Sequence, residues 1–167
     1  MVVPIVKYPD LILRRKALPV EKLSEDIFKL VDNMVETMLK TDGVGLAANQ
    51  VGSLHRVFVL NTTPHEDTPT LIPVINPEII THEGQLIEDE GCLSLPELYI
   101  KIARPEKIRI KSKNLYNENF VLDASGLLAR AVQHEIDHLN GILIIDYVAE
   151  EEREKVKEYL NGLIHAS

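Results

Sequence analysis

The sequence predicts an α+β fold, with mostly antiparallel or mixed sheets packed around a central metal-binding helix, one helix near the N-terminus and one at the C-terminus. Three observations carry this. Apolar residues recur at three- and four-residue steps in an early stretch, in a stretch after Ala124 and in a final one. Between the first two, short β-branched runs alternate with turns that contain Pro and Asn. The second helical stretch contains HEIDH, His134 to His138, whose two histidines lie four residues apart on one helical face, so that both imidazoles can reach the same ion.

A length of 167 residues suits one domain, 1–167, able to bury its own core. The net charge of −8 works against binding nucleic acid or an anionic membrane, since both need a basic face. No apolar run approaches the roughly 20 residues of a bilayer span. The opening MVVPIVKYPD has neither the basic end nor the apolar stretch and cleavage site of a secretory signal. The single cysteine, Cys92, excludes an internal disulfide and a four-cysteine zinc site, which fits a reducing compartment. These features lead us to expect a soluble, monomeric cytoplasmic protein.

Taken in order, the segment to Pro19, with prolines at 4, 9 and 19, is expected to be extended and to wrap the surface. From Ser24 the periodicity of Ile27, Leu30, Val31, Met34, Val35, Met38 and Leu39 predicts a helix. Ser24 stands at its N-cap, Glu25 and Asp26 in its first turn, and Thr41-Asp42-Gly43 at its end. Gly43 to Gly52, GVGLAANQVG, is read as a turn leading into a strand; it lacks the Lys-Ser/Thr ending of a phosphate loop. Residues 56–61, 71–76 and 107–111 are predicted strands, with 120–122 a further candidate. His55, His65, His82 and His165 lie in polar contexts and are expected to be solvated. Residues 88–97, EDEGCLSLPE, are read as a turn that interrupts sheet pairing and leaves Cys92 open to a ligand. The second helix is expected over 124–140, with Gly141 just past its end. The run ILIIDYV then reads as a strand, and Ala149 to about Ile164 as a third helix with the stripe Val156, Tyr159, Leu160 and Leu163.

On the motif helix, Leu127, Ala131, His134 and His138 follow at steps of four, three and four. Leu127 and Ala131 can therefore floor a pocket for an unbranched apolar substrate side chain, or serve simply as core. Glu135 sits beside the ion rather than on it, where hydrolysis needs a proton acceptor that is not a ligand. A catalytic site of this type takes three protein ligands. Spacing alone leaves the third open between Cys92 upstream and Glu151, Glu152, Glu154 or Glu158 downstream.

The stretches GVGLAANQ, EGCLSLP and QHEIDHLNG, in this order and at these separations, resemble the three signature motifs of the peptide deformylases. The resemblance spans nearly the whole chain and implies hydrolytic removal of the formyl group from the N-terminal formylmethionine of new polypeptides. It implies Cys92, His134 and His138 as metal ligands and Glu135 as the proton carrier. It further implies the Gln50 amide and the Leu93 backbone N–H as donors to the developing oxyanion, and Val44, Gly45 and Leu46 as backbone partners of the substrate. Leu127 and Ala131 would line the methionine pocket. The ligand types suggest zinc; the family resemblance implies iron(II) natively, with nickel, cobalt or zinc able to substitute. Leu95 stands where valine or isoleucine is more usual, and Asp137 is expected to pair with Arg104. Some members dock on the ribosome near the exit tunnel through a basic C-terminal helix; the glutamate-rich helix here disfavours that contact.

Overall fold

The computed structural model describes residues 1–165; Ala166 and Ser167, the last residues of the predicted domain, lie outside the described residues. The α+β class is as expected: among the described residues seven strands form two antiparallel sheets, and three α-helices pack against them. Among the described residues no helix is long and apolar enough to cross a membrane.

The larger sheet contains β1 (Gly45–Ala47), β2 (Val57–Asn61), β3 (Leu71–Glu83), β6 (Lys107–Lys113) and β7 (Asn119–Ser125), in the order β1-β2-β3-β6-β7. Its core follows from β2, whose Val57, Phe58, Val59 and Leu60 are all fully buried. A strand covered on both faces needs an unbroken apolar run rather than an alternating one. Val57 and Val59 pack on Met34, Val31 and Met38 of α1 (Glu25–Met38), while Phe58 and Leu60 pack on Ala131, Val132 and Ile136 of α2 (Gly126–Leu139). Burial of one such side chain, Phe58, stabilises the fold by about 1.5–3 kcal/mol. The α2 helix is thus pinned to one face of the sheet by Ala131, Val132 and Ile136, which flank His134.

The second sheet is the hairpin β4 (Leu86–Cys92) and β5 (Leu95–Arg104). This corrects the reading of residues 88–97 as an interrupting turn: Cys92 is the last residue of β4, and only Leu93 and Ser94 connect the strands. On β5, Leu98, Ile100 and Ile102 alternate with exposed residues and pack on Leu143, Ile144 and Val156. That period of two is concealed in the sequence by Pro96 and by Glu97, which adopts a left-handed φ of 67°.

Other boundaries differ for identifiable reasons. Strand β3 runs on to Glu83 because β6 continues to pair with it past Ile75. Ala124 and Ser125 complete β7 opposite Ile108 and Lys107, so α2 begins at Gly126. The run ILIIDYV is not a strand: Ile144–Tyr147 forms a 3-10 turn, capped where Asp146 Oδ2 accepts the Leu143 N–H at 2.9 Å. The strand β1 is followed by a second such turn, Ala48–Val51. The N-terminal segment is largely extended but contains a turn at Leu11–Arg14 and buries Leu13 and Ala17, so it is partly core. A short turn, Glu150–Glu152, precedes α3 (Arg153–His165). Ser24 occupies the N-cap of α1 without a capping side-chain bond. Gly141 takes the predicted position after α2, at φ +74°, with its N–H donating to His138 O at 3.0 Å.

Candidate active site

Strand β4 meets the C-terminal half of α2. Cys92 arrives at the end of β4, while His134 and His138 stack one turn apart on α2. Their ligand atoms all lie within 4.8 Å of one another, and no downstream glutamate joins this cluster among the described residues. Sγ of Cys92 is 3.3 Å from Nε2 of His138, which is 3.1 Å from Nε2 of His134. Donor atoms on a tetrahedral ion with bonds of roughly 2.0–2.3 Å are separated by roughly 3.3–3.7 Å. The spacing and the donor chemistry therefore fit one divalent ion.

The orientation of His134 comes from Glu90. The imidazole Nδ1–H donates to Glu90 Oε2 at 2.8 Å, which turns Nε2 toward the cluster. Glu90 is itself held by Arg104, with bonds of 2.7 Å to each oxygen, and by Arg130 at 3.1 Å. Burial alone would raise its pKa, but Arg104 and His134 bring it down to about 2, so it remains a carboxylate. Burial likewise opposes charge on His134, yet Glu135, Cys92 and Glu90 together keep its pKa well above the usual value. His138, buried beside that charge, has its pKa pushed well down and stays neutral. Arg104 also donates to Asp137 at 2.9 Å, as expected, and Asp137 accepts the Tyr147 hydroxyl.

Glu135 is buried, and its Oε1 has no hydrogen-bond partner. Burial drives its pKa up to about 7, the range suited to moving a proton in both directions near neutrality. Gly45 makes room for it: a Cβ at that position would lie 2.7 Å from Glu135 Oε2. Gln50 is fixed at its oxygen, which accepts the Ala47 N–H at 3.0 Å. Its Nε2 is thereby aimed at Ser94 Oγ, 3.2 Å away, and at Cys92 Sγ, 3.8 Å away.

Val44, Gly45, Gln50, Leu93, Leu127 and Ala131 all line one cleft of about 330 Å³ together with Cys92, His134 and Glu135. Two predicted site residues do not line it: His138 is buried behind Cys92 and His134, and the side chain of Leu46 is fully buried in the core with Met34 and Val57. Leu127 is 45% exposed and Ala131 is buried, so the pocket reading suits Leu127 better than the simple-core one. A second cleft, of about 380 Å³ between β3, β6 and β7, lies apart from this cluster and is flanked by the charge pairs Lys107–Glu83 and Arg109–Asp123. The four solvated histidines are exposed as expected. Glu90, Arg130, Ser94 and Tyr99 were not foreseen. Glu90 had a signal, being a carboxylate two residues before a candidate ligand; Arg130, one helical turn before His134, had none that periodicity alone reveals.

A thiol, two imidazoles, a buried carboxylate and an uncharged amide around one cleft define the class of metal-ion hydrolases. The family model for polypeptide deformylase matches residues 2–154, and the chain belongs to the peptide deformylase family. The peptide deformylase of Thermodesulfovibrio yellowstonii is 46% identical over 153 residues, covering 92% of this chain and 93% of that one. A crystal structure of a peptide deformylase from Legionella pneumophila superposes with a TM-score of 0.90 at 35% identity, covering 99% of this chain and 97% of that one. Arabidopsis thaliana peptide deformylase 1B, in complex with an inhibitor, gives 0.91 at 37% identity, covering 96% and 90%.

Proposed function

We propose that this chain hydrolyses the N-formyl group of N-terminal formylmethionine on nascent polypeptides, releasing formate. The observation that carries the reading is the cluster of Cys92, His134 and His138, of which Cys92 and His134 share one cleft with Glu135, whose Oε1 is unpartnered, and with Gln50.

Cys92, as thiolate, with neutral Nε2 of His134 and His138 would hold one divalent ion, iron(II) natively, with nickel, cobalt or zinc able to replace it. When bound, the ion acts as a Lewis acid on the formyl carbonyl and lowers the pKa of water. Glu135 takes a proton from the attacking water and returns it to the amine nitrogen as the C–N bond breaks. As charge builds on the formyl oxygen, Gln50 Nε2–H and the Leu93 backbone N–H donate to it; the amide adds no charge that would compete for the anion. The substrate main chain pairs with the backbone of Val44, Gly45 and Leu46 on the unpartnered edge of β1. The buried side chain of Leu46 is compatible with this, because only its backbone is used. The methionine side chain lies over Leu127 and Ala131. The small formyl hydrogen lets the carbonyl approach the site where an acetyl methyl would not.

We further propose that the protein acts as a monomer in the bacterial cytoplasm, and that the acidic surface of α3, with Glu154 and Glu158, disfavours anchoring to the ribosome. The test is anaerobic reconstitution with iron(II) or nickel followed by assay of formyl-Met-Ala-Ser and acetyl-Met-Ala-Ser. Formate from the first and no deacetylation of the second is expected; no formate would overturn the reading.

A further inference from the structure

We propose that Tyr99 sets the preference for the residue that follows formylmethionine, favouring an aromatic or cationic side chain and disfavouring an acidic one. The inference rests on the deformylase reading above. The cleft lies between two strands that each pair on one side only, β1 through Gly45 and β4 through Gly91. A substrate laid between them is extended, and its successive side chains alternate between two faces.

Strand β4 shows which face is which. Glu90 points inward, buried against His134, whereas its neighbours Asp89 and Gly91 belong to the opposite, outer face. The methionine side chain belongs on the inner face with His134 and Ala131. The next side chain therefore falls on the outer face, the one to which Asp89 and Gly91 belong.

Gly91 contributes no side chain there, and its register partner across the hairpin is Tyr99. A Cβ on Gly91 would lie 2.7 Å from Tyr99 Cε1, so the ring lies across the glycine and reaches the cleft that both residues line. Tyr99 is nonetheless 61% exposed, with its ring open to a partner from the cleft side. Asp89 lines the cleft on the same face; its only ion pair among the described residues is to Lys101, at 3.6 Å between two exposed side chains, and such a pair neutralises little. An aromatic surface beside a carboxylate attracts aromatic and cationic groups and repels anions.

The test measures kcat/KM on formyl-Met-X-Ser with X as Gly, Phe, Arg or Asp, for the metal-loaded wild type, Y99F and Y99A. In the wild type Phe and Arg should exceed Gly by about fivefold, with Asp below Gly. Y99F should keep the Phe-to-Gly ratio, and Y99A should bring both ratios to within about twofold of one. A flat wild-type profile with formate released from every peptide, or ratios preserved in Y99A, would overturn this inference and leave the deformylase reading standing. No formate from any peptide would overturn both.

Discussion

At the scale of single residues, the site depends on two uncompensated features: a buried carboxylate with a free oxygen, and a glycine that makes space for it. Glu135→Gln removes the proposed proton acceptor without touching Cys92, His134 or His138. Turnover should fall between about a hundredfold and ten-thousandfold, while metal content by atomic absorption stays near that of the wild type. A parallel loss of metal would show Glu135 to be a ligand instead. Gly45→Ala tests the space. The new methyl would meet Glu135 Oε2 at 2.7 Å, and the carboxylate must move. Displacement on the order of an ångström costs about a hundredfold in kcat. The melting temperature should change little by comparison, because Gly45 pairs through its backbone with Leu60 whatever its side chain.

At the scale of elements, hairpin and helix are joined by one buried charge network. Glu90 on β4 accepts from Arg104 on β5 and from Arg130 and His134 on α2, while Arg104 reaches on to Asp137. Glu90→Ala leaves two buried guanidiniums short of their counter-charge and should destabilise the protein by about 3–5 kcal/mol in denaturant titration. It also frees the His134 ring, so metal affinity should fall by about ten- to a hundredfold. Unchanged affinity would mean that the ring is held by packing alone. Tyr147 extends the network from the turn at Ile144–Tyr147, donating to Asp137 at 2.6 Å. Burial and the neighbouring Asp137 push its phenol up to about 12. Because the folded value is the raised one, the stabilisation is complete below the ordinary phenol pKa of about 10. It is lost as pH rises through about 12. Phenolate absorbance should accordingly lose a high-pH step in Tyr147→Phe, and stability should then fall less as pH rises from about 10 to about 12.

For the whole molecule, the proposed ion would bridge β4 and α2, elements that otherwise meet through side chains. Chelation should abolish formate release and lower the melting temperature. With metal a hundredfold above its Kd the linkage is about 2.7 kcal/mol, or roughly 5–11 °C for a chain of this size. Restoration of both on readdition of nickel is expected; recovery of the melting temperature without activity would separate a structural ion from a catalytic one. Much of this architecture was legible beforehand. The α1 helix, the strands β2 and β6 and the motif helix declare themselves because a buried face imposes its own period on local sequence. The hairpin β4 and β5 did not, since Pro96 and the left-handed Glu97 break the alternation that Leu98, Ile100 and Ile102 would otherwise display. The run ILIIDYV misled for the converse reason: a β-branched string became a 3-10 turn once Asp146 could cap it and the hairpin could cover Ile144. By itself the sequence determined the fold class, the two-histidine helix face and, through three motifs in register, the residues offered as ligands and proton carrier. Spacing alone left the third ligand open; the motif resemblance pointed to Cys92, and the tertiary structure puts Cys92, with no glutamate of the last helix, beside the histidines among the described residues. It alone revealed Glu90 as the group that aims His134 and Tyr99 as a wall of the cleft. Those relations join residues that stand far apart in the chain, and no local period records a contact made across more than forty residues.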